Sequence, residues 1–268
     1  MLEEFIKYYS DAKDICFRFI ETLADTQLDE ENNSPEIYTL TSINLTKHNC
    51  NSITVLLKED EFGSAIMICR NLIEMYFNFD WAIEPINQGL DKDRLKEAIK
   101  DRFFKLQGTP YYNFEKNLNE MESDQNNPEP AWDSDAIRKT RELIENEKNK
   151  FPFLLTTNEK GKIVFKKAPP FAERMGNLKL KHYHVYTFAS VFTHPTPMLS
   201  EIYLSKKNGV SIESKRTIKQ ILSYGLFSTH AILGYGRIAF DTVNFGEIRN
   251  QCFEDLERIY LQSQNDLK

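Results

Sequence analysis

Residues 62–83 read FGSAIMICRNLIEMYFNFDWAI, a run that is apolar on nearly every face yet carries a few polar side chains. Between Ala65 and Phe79 the strongly polar positions are Arg70, Asn71, Glu74 and Asn78. At about 100° per residue these four share one stripe roughly 100° wide. A helix otherwise apolar all round is enclosed by protein, so the stripe is expected to face a polar cavity or a narrow cleft, where a buried Arg and Glu need partners. Arg70 and Glu74, four residues apart, either form a structural ion pair or present a guanidinium that can stabilise a carboxylate or a phosphoryl oxygen.

The flanking chain is helical by pattern. Apolar residues from Leu2 to Leu23 recur at i, i+3 and i+4, the rhythm of an amphipathic helix. Ser34-Pro35-Glu36 offers an N-cap, a proline at the first helical position and an early acid for a second helix running to about Lys58. Along one line of that helix lie Leu40, Asn44, His48, Asn51 and Val55, a second polar stripe that a short connection could bring to the first. Asp91 opens a charged helix that Gly108 and Pro110 are expected to close near Gln107, with a weaker segment at 112–122. The polar, proline-bearing stretch 123–133 reads as a mobile loop, and Asp133 or Ser134 caps a further helix to about Lys150. Alternating residues on either side of NEKG predict a β-hairpin over 151–167. A short helix in PPFAERMG, a helix over 180–194 ended by Pro195, and helices over 214–244 and 247–262 complete the chain. The fold class is therefore all-α in the main, one helical domain over 1–268 around a buried central helix. Gly225, Thr229, Ile232 and Gly236 form a small-residue seam that admits close approach of a helix, either within the fold or across a homodimer.

Composition narrows the function classes. The four cysteines, Cys16, Cys50, Cys69 and Cys252, have no C-x-x-C spacing and read as packed thiols of a cytoplasmic protein. The amino terminus has no signal-like segment, and no run of about 18 apolar residues predicts a membrane span. The net charge of −6 conceals a basic third: residues 160–219 hold twelve Lys and Arg against three acids. That asymmetry points to an anionic partner, with Lys166, Lys167, Lys179 and Lys181 as candidate anion contacts.

Tyr186, Ser190 and His194 recur at i, i+4 and i+8, which puts a phenol, a hydroxyl and an imidazole on one helical face. Such a face suits general acid–base work, or else holds a satisfied histidine at a helix end. No metal site is indicated, since His182 and His184 lie about 200° apart on a helix and no H-E-x-x-H or C-x-x-C pair occurs. Neither G-x-G-x-x-G nor a Walker-type lysine is present, so no nucleotide cofactor is implied.

RNLIE on the central helix, the aromatic continuation to Trp81, PPFAERMG and YHVYTFASVFTHP together resemble a bacterial family known as a domain of unknown function (DUF5677). The resemblance implies an all-helical protein whose polar positions are Arg70 and Glu74 from the first motif and Tyr186, Ser190 and His194 from the second. A more distant likeness is to the HEPN ribonucleases of toxin–antitoxin and antiphage systems, helical bundles with a composite Arg/His site. HEPN enzymes carry Arg and His on one helix, whereas Arg70 and His194 fall on different ones. These likenesses imply a cytoplasmic effector of a bacterial defence or toxin-type system that cleaves or binds RNA without a metal or cofactor. Its catalytic group would be Arg70, Glu74, His194, Tyr186 and Ser190, supported by Asn44, His48, Asn71 and Asn78. The competing expectations are a non-enzymatic helical module that binds a protein of the same system, and a small-anion or nucleotide sensor.

Overall fold

Helix α1 (Glu3–Glu21) buries Phe5, Tyr9, Ala12, Ile15, Cys16 and Phe19, the positions that the 3.6-residue period places on one side. The computed structural model describes residues 3–23, 28–29, 31, 33–127, 132–176, 185–187, 189–190, 212–239 and 247–267, without the side chains of 212–215 and 237–239. The chain is mainly α-helical and divides into two compact units: 1–28, 36–81 and 175–268 form the first, 29–35 and 82–174 the second.

In unit 1, α1 packs with α7 (Ile212–Ala239) and α8 (Glu247–Asn265), and these helices also pack on each other. Helices α2 (Ser34–Lys58) and α3 (Phe62–Ile83) supply the rest of the core, with Ile43, Ile53, Ile66, Leu72 and Phe77 fully buried. The small-residue seam is used inside the unit. A Cβ at Gly225 would lie 2.3 Å from the Tyr9 hydroxyl, and one at Gly236 would lie 3.2 Å from Ile43 and Phe19. Thr229 lies against the Cys50 thiol, 3.9 Å away. All four cysteines are free and buried. Burial pushes the Cys50 and Cys69 thiols up to about 12, so they behave as small apolar groups rather than nucleophiles.

The second polar stripe is corrected. Asn44, His48 and Asn51 are exposed, as is Val55, because α2 turns its other side inward through Ile43, Cys50, Ile53 and Leu57 at alternating spacings of seven, three and four. Asn44 and His48 therefore stand on a solvated face.

Unit 2 is built on α4 (Lys92–Asp124), which starts where Asp91 accepts from the Arg94 amide at 3.0 Å. The expected break at Gly108 and Pro110 does not occur: α4 runs straight through both. Thr109 Oγ1 donates to the Lys105 carbonyl at 2.6 Å and accepts from the Ala168 amide at 2.8 Å, tying the proline-bearing turn to the segment that follows the hairpin. Tertiary contact here outweighs the local stop signal. Ser34, the first residue of α2, donates its hydroxyl to Gln107 Oε1 at 2.9 Å.

Strands β1 (Leu155–Thr157) and β2 (Ile163–Phe165) pair antiparallel with Leu155 opposite Phe165, inside the expected hairpin. Asn158 Oδ1 closes the turn by accepting from the amides of Lys160 and Lys162. Phe104, Leu118, Ile137, Ile144, Leu154 and Phe165 form the core under α5 (Ser134–Lys150). Gln125 bridges the ends of the 123–133 stretch, donating to the Trp132 carbonyl at 2.7 Å; residues 128–131 lie outside the described residues. A four-residue helix α6 (Phe171–Arg174) follows. No helix among the described residues is long and apolar enough to cross a membrane.

One half-buried base in unit 1 makes stability sensitive to pH. His230 packs on Phe253 with ring centroids 4.3 Å apart, and its Nε2 is buried without a hydrogen-bond partner among the described residues. Burial pulls its pKa below the ordinary 6.5, against a smaller upward pull from Glu257. A base depressed by folding contributes stability that is fully present above 6.5 and is lost as the pH falls through the folded value. His230→Phe is expected to remove part of the fall in melting temperature between about pH 7.5 and 5.5. Identical pH slopes for the variant and the wild type would refute this.

Candidate functional site

Arg70 and Glu74 stand one turn apart on α3, and the helical residues 185–187 bring Tyr186 over both, within unit 1. Arg70 Nη2 donates to the Tyr186 hydroxyl at 3.0 Å, and that hydroxyl donates to Glu74 Oε1 at 2.9 Å. Arg70 Nη2 also reaches Glu74 Oε1 directly at 3.0 Å. The guanidinium carbon sits 5.2 Å from the Tyr186 ring centroid. Among the partners that an Arg and a Glu require on an otherwise apolar helix are thus each other and one phenol.

The cluster is neither sealed nor on the open surface: the Arg70 and Glu74 side chains keep 26% and 35% of their exposure. That is enough for a ligand oxygen to reach them. Burial acts to lower the Arg70 pKa, but the Tyr186 hydrogen bond and the Glu74 charge outweigh it and leave the guanidinium more firmly protonated than usual. Burial raises the Tyr186 pKa; the Arg70 hydrogen bond opposes this and Glu74 reinforces it, so the phenol stays protonated and serves as a neutral donor. Chemically the arrangement is a fixed positive charge beside a carboxylate that accepts the phenol O–H, a set in which the guanidinium can bind an oxyanion and the phenol can serve it once its O–H turns from Glu74.

Other predicted residues are placed differently. Ser190 Oγ donates to the Tyr186 carbonyl at 2.8 Å, a bond back into its own helical turn. Asn71 is exposed, and Asn78 is half-buried with its Oδ1 unpartnered among the described residues. His194, Lys179 and Lys181 lie outside the described residues. Lys166 and Lys167 belong to unit 2. There Lys166 Nζ is 3.4 Å from Asp101, and Lys167 Nζ lies 4.6 Å from the Tyr112 ring centroid. Burial works to raise the Asp101 pKa, but Lys105 and Lys166 outweigh it and hold the carboxyl below its usual value.

Sequence reasoning passed over Lys105, Lys148, Lys160, Lys162 and Tyr112, which line one groove with Lys166 and Lys167. The signal was partly present, since Lys160 and Lys162 flank the hairpin turn. The α4 and α5 contributions appear only once the hairpin folds against those helices. No curated protein and no solved structure matches the chain. The model of a family of unknown function (DUF5677) matches residues 47–211, more than half of the chain and a span that includes Arg70, Glu74, Tyr186, Ser190 and the groove lysines.

Proposed function

The chain belongs to the DUF5677 family, and from that premise we propose that it is a helical, HEPN-like effector of a bacterial defence or toxin-type system. It acts on RNA through the Arg70–Glu74–Tyr186 cluster. The observation that carries the reading is the Tyr186 hydroxyl held between a guanidinium and a carboxylate on an accessible stretch of the central helix. In the cleaving form of the reading, His194 takes the 2′-hydroxyl proton and the 2′-oxygen attacks phosphorus. The 5′-oxygen then leaves with the proton that His194 returns, giving a 2′,3′-cyclic phosphate and a free 5′-hydroxyl. Arg70 and Tyr186 stabilise the charge that develops on the phosphorane oxygens.

One observation favours a second reading. Arg70, Tyr186 and Glu74 bond to one another, as a purely structural network in an interaction module would.

Growth after induced expression in bacteria, RNA cleavage by the purified protein and thermal melts separate the two. For the effector, wild type arrests growth and Arg70→Lys and Tyr186→Phe lower cleavage by about 10²-fold or more, the cost of losing an oxyanion donor. His194→Ala does the same, and all melts shift little. Under the structural reading Tyr186→Phe leaves any activity intact and lowers stability by about 1 kcal/mol, the ordinary worth of such hydrogen bonds. A wild-type protein that neither arrests growth nor cleaves RNA sinks the effector reading.

A further inference from the structure

We propose that unit 2 carries a groove for the phosphodiester backbone of single-stranded nucleic acid. This deepens the RNA reading by naming where the substrate strand is held, but it stands on unit 2 alone. The groove encloses about 1050 Å³ between α4, the end of α5 and the hairpin, and its lining holds seven lysines against three acids, Asp101, Glu115 and Glu159.

Two of those acids are already engaged. Asp101 lies 2.7 Å from Lys105 and 3.4 Å from Lys166, and Glu115 lies 2.8 Å from Lys148. Four lysines remain whose charge is not met inside the lining. Lys160 and Lys162 are exposed with no ion pair among the described residues. Lys167 is held by the Tyr112 ring and donates to its hydroxyl at 3.3 Å. Lys116 reaches Glu120 at 3.5 Å, but both side chains are 65% exposed and solvent screens the pair. The turn amides of Lys160 and Lys162 are fixed by Asn158, so two of these cations start from a rigid backbone.

The size and chemistry of the lining select the ligand. Pockets for small molecules span about 300–1,000 Å³, so this groove has room for a few nucleotides of one strand and not for the body of a duplex. Lysines accompanied by the hydroxyls and amides of Thr156, Thr157 and Asn119 make up a phosphate-contacting set. An acidic protein partner would call for arginine and exposed aromatic anchors. The lining has no arginine, and Tyr112 is half-buried beneath Lys167.

The test is fluorescence anisotropy with a labelled unstructured 12-nucleotide RNA and its DNA counterpart, using the whole chain. Three released counterion contacts predict a slope of log affinity on log salt near −2, or about a 20-fold loss between 50 and 200 mM salt. Lys160→Glu, Lys162→Glu and Lys167→Glu combined should lose at least that factor at 50 mM and flatten the slope, with an unchanged melt. The corresponding three arginine substitutions should keep both. Backbone recognition also predicts RNA and DNA affinities within about threefold of each other. Any of four results overturns the groove: no wild-type binding at 50 mM salt, a triple-Glu variant that binds as wild type, a duplex bound as tightly as the strand, or displacement of the strand by poly-glutamate at equal charge. Loss of growth arrest in Arg70→Lys with a failed binding assay refutes the groove alone. Intact groove binding without arrest or cleavage refutes the effector reading alone.

Discussion

Gly108→Ala is expected to lower stability by about 2 kcal/mol net and to loosen the hairpin, although alanine is the better helix former. A Cβ at Gly108 would lie 2.3 Å from the Lys166 carbonyl oxygen, 3.1 Å from its carbon and 3.3 Å from its nitrogen. Every one of those atoms is backbone, so no side chain can rotate away. The substitution gains about 1 kcal/mol of helix propensity, while forcing an extra carbon into a packed contact costs about 1–3 kcal/mol and more where the neighbour cannot move. The clash wins. To relieve it, α4 and β2 must separate, which strains the Lys166 amide bond to the Leu154 carbonyl, 2.7 Å, and the Ala168 amide bond to Thr109. Amide exchange at Lys166 and Ala168 should accelerate, and the nucleic-acid affinity of the groove should fall, since Lys166 and Lys167 ride on the displaced segment. Unchanged protection at both amides would contradict the argument.

In unit 1 the corresponding position is Gly225. A Cβ there would lie 2.3 Å from the Tyr9 hydroxyl and 3.1 Å from Cys69 Sγ. The nearest neighbour is a side chain, so its freedom to move decides the outcome. Tyr9 is fully buried, its hydroxyl donates to the Leu222 carbonyl at 2.6 Å, and it lies 3.3 Å from Cys69 Sγ. It has nowhere to go without breaking a buried hydrogen bond, a loss of about 1–3 kcal/mol. Gly225→Ala should therefore lower the urea midpoint by an amount equivalent to about 2 kcal/mol after the helix gain. Tyr9→Phe removes the oxygen that the new carbon strikes, so the double variant should be more stable than the two single losses added together. Strict additivity, or a Gly225→Ala protein as stable as the wild type, would mean that the seam is looser than its distances imply.

Local periodicity was enough to recover α1, α3 and the hairpin, because the burial of Phe5, Tyr9, Ala12 and Phe19, or the alternation through β1 and β2, follows from residues two to four apart. It failed where a distant segment supplied the deciding contact. Pro110 signals a stop, but α4 continues because Thr109 and Gly108 serve the incoming strand. On α2 two helical lines competed, and the choice of buried side fell to Ile43, Cys50 and Ile53, leaving Asn44 and His48 to solvent. Composition alone showed a basic third but not where its charge is cancelled.

By itself the sequence determined the helical class and the need of Arg70 and Glu74 for partners, because each of these is set by neighbours within a turn or two. Only the tertiary structure decided that the partner is Tyr186, more than a hundred residues away in sequence, with its hydroxyl 3.0 Å from Arg70 and 2.9 Å from Glu74. It likewise decided that Lys105, Lys148, Lys160 and Lys162 share one groove. The physical reason is common to both: a hydrogen bond or an uncancelled charge depends on which surfaces meet in space, and helical periodicity carries information only along a single element.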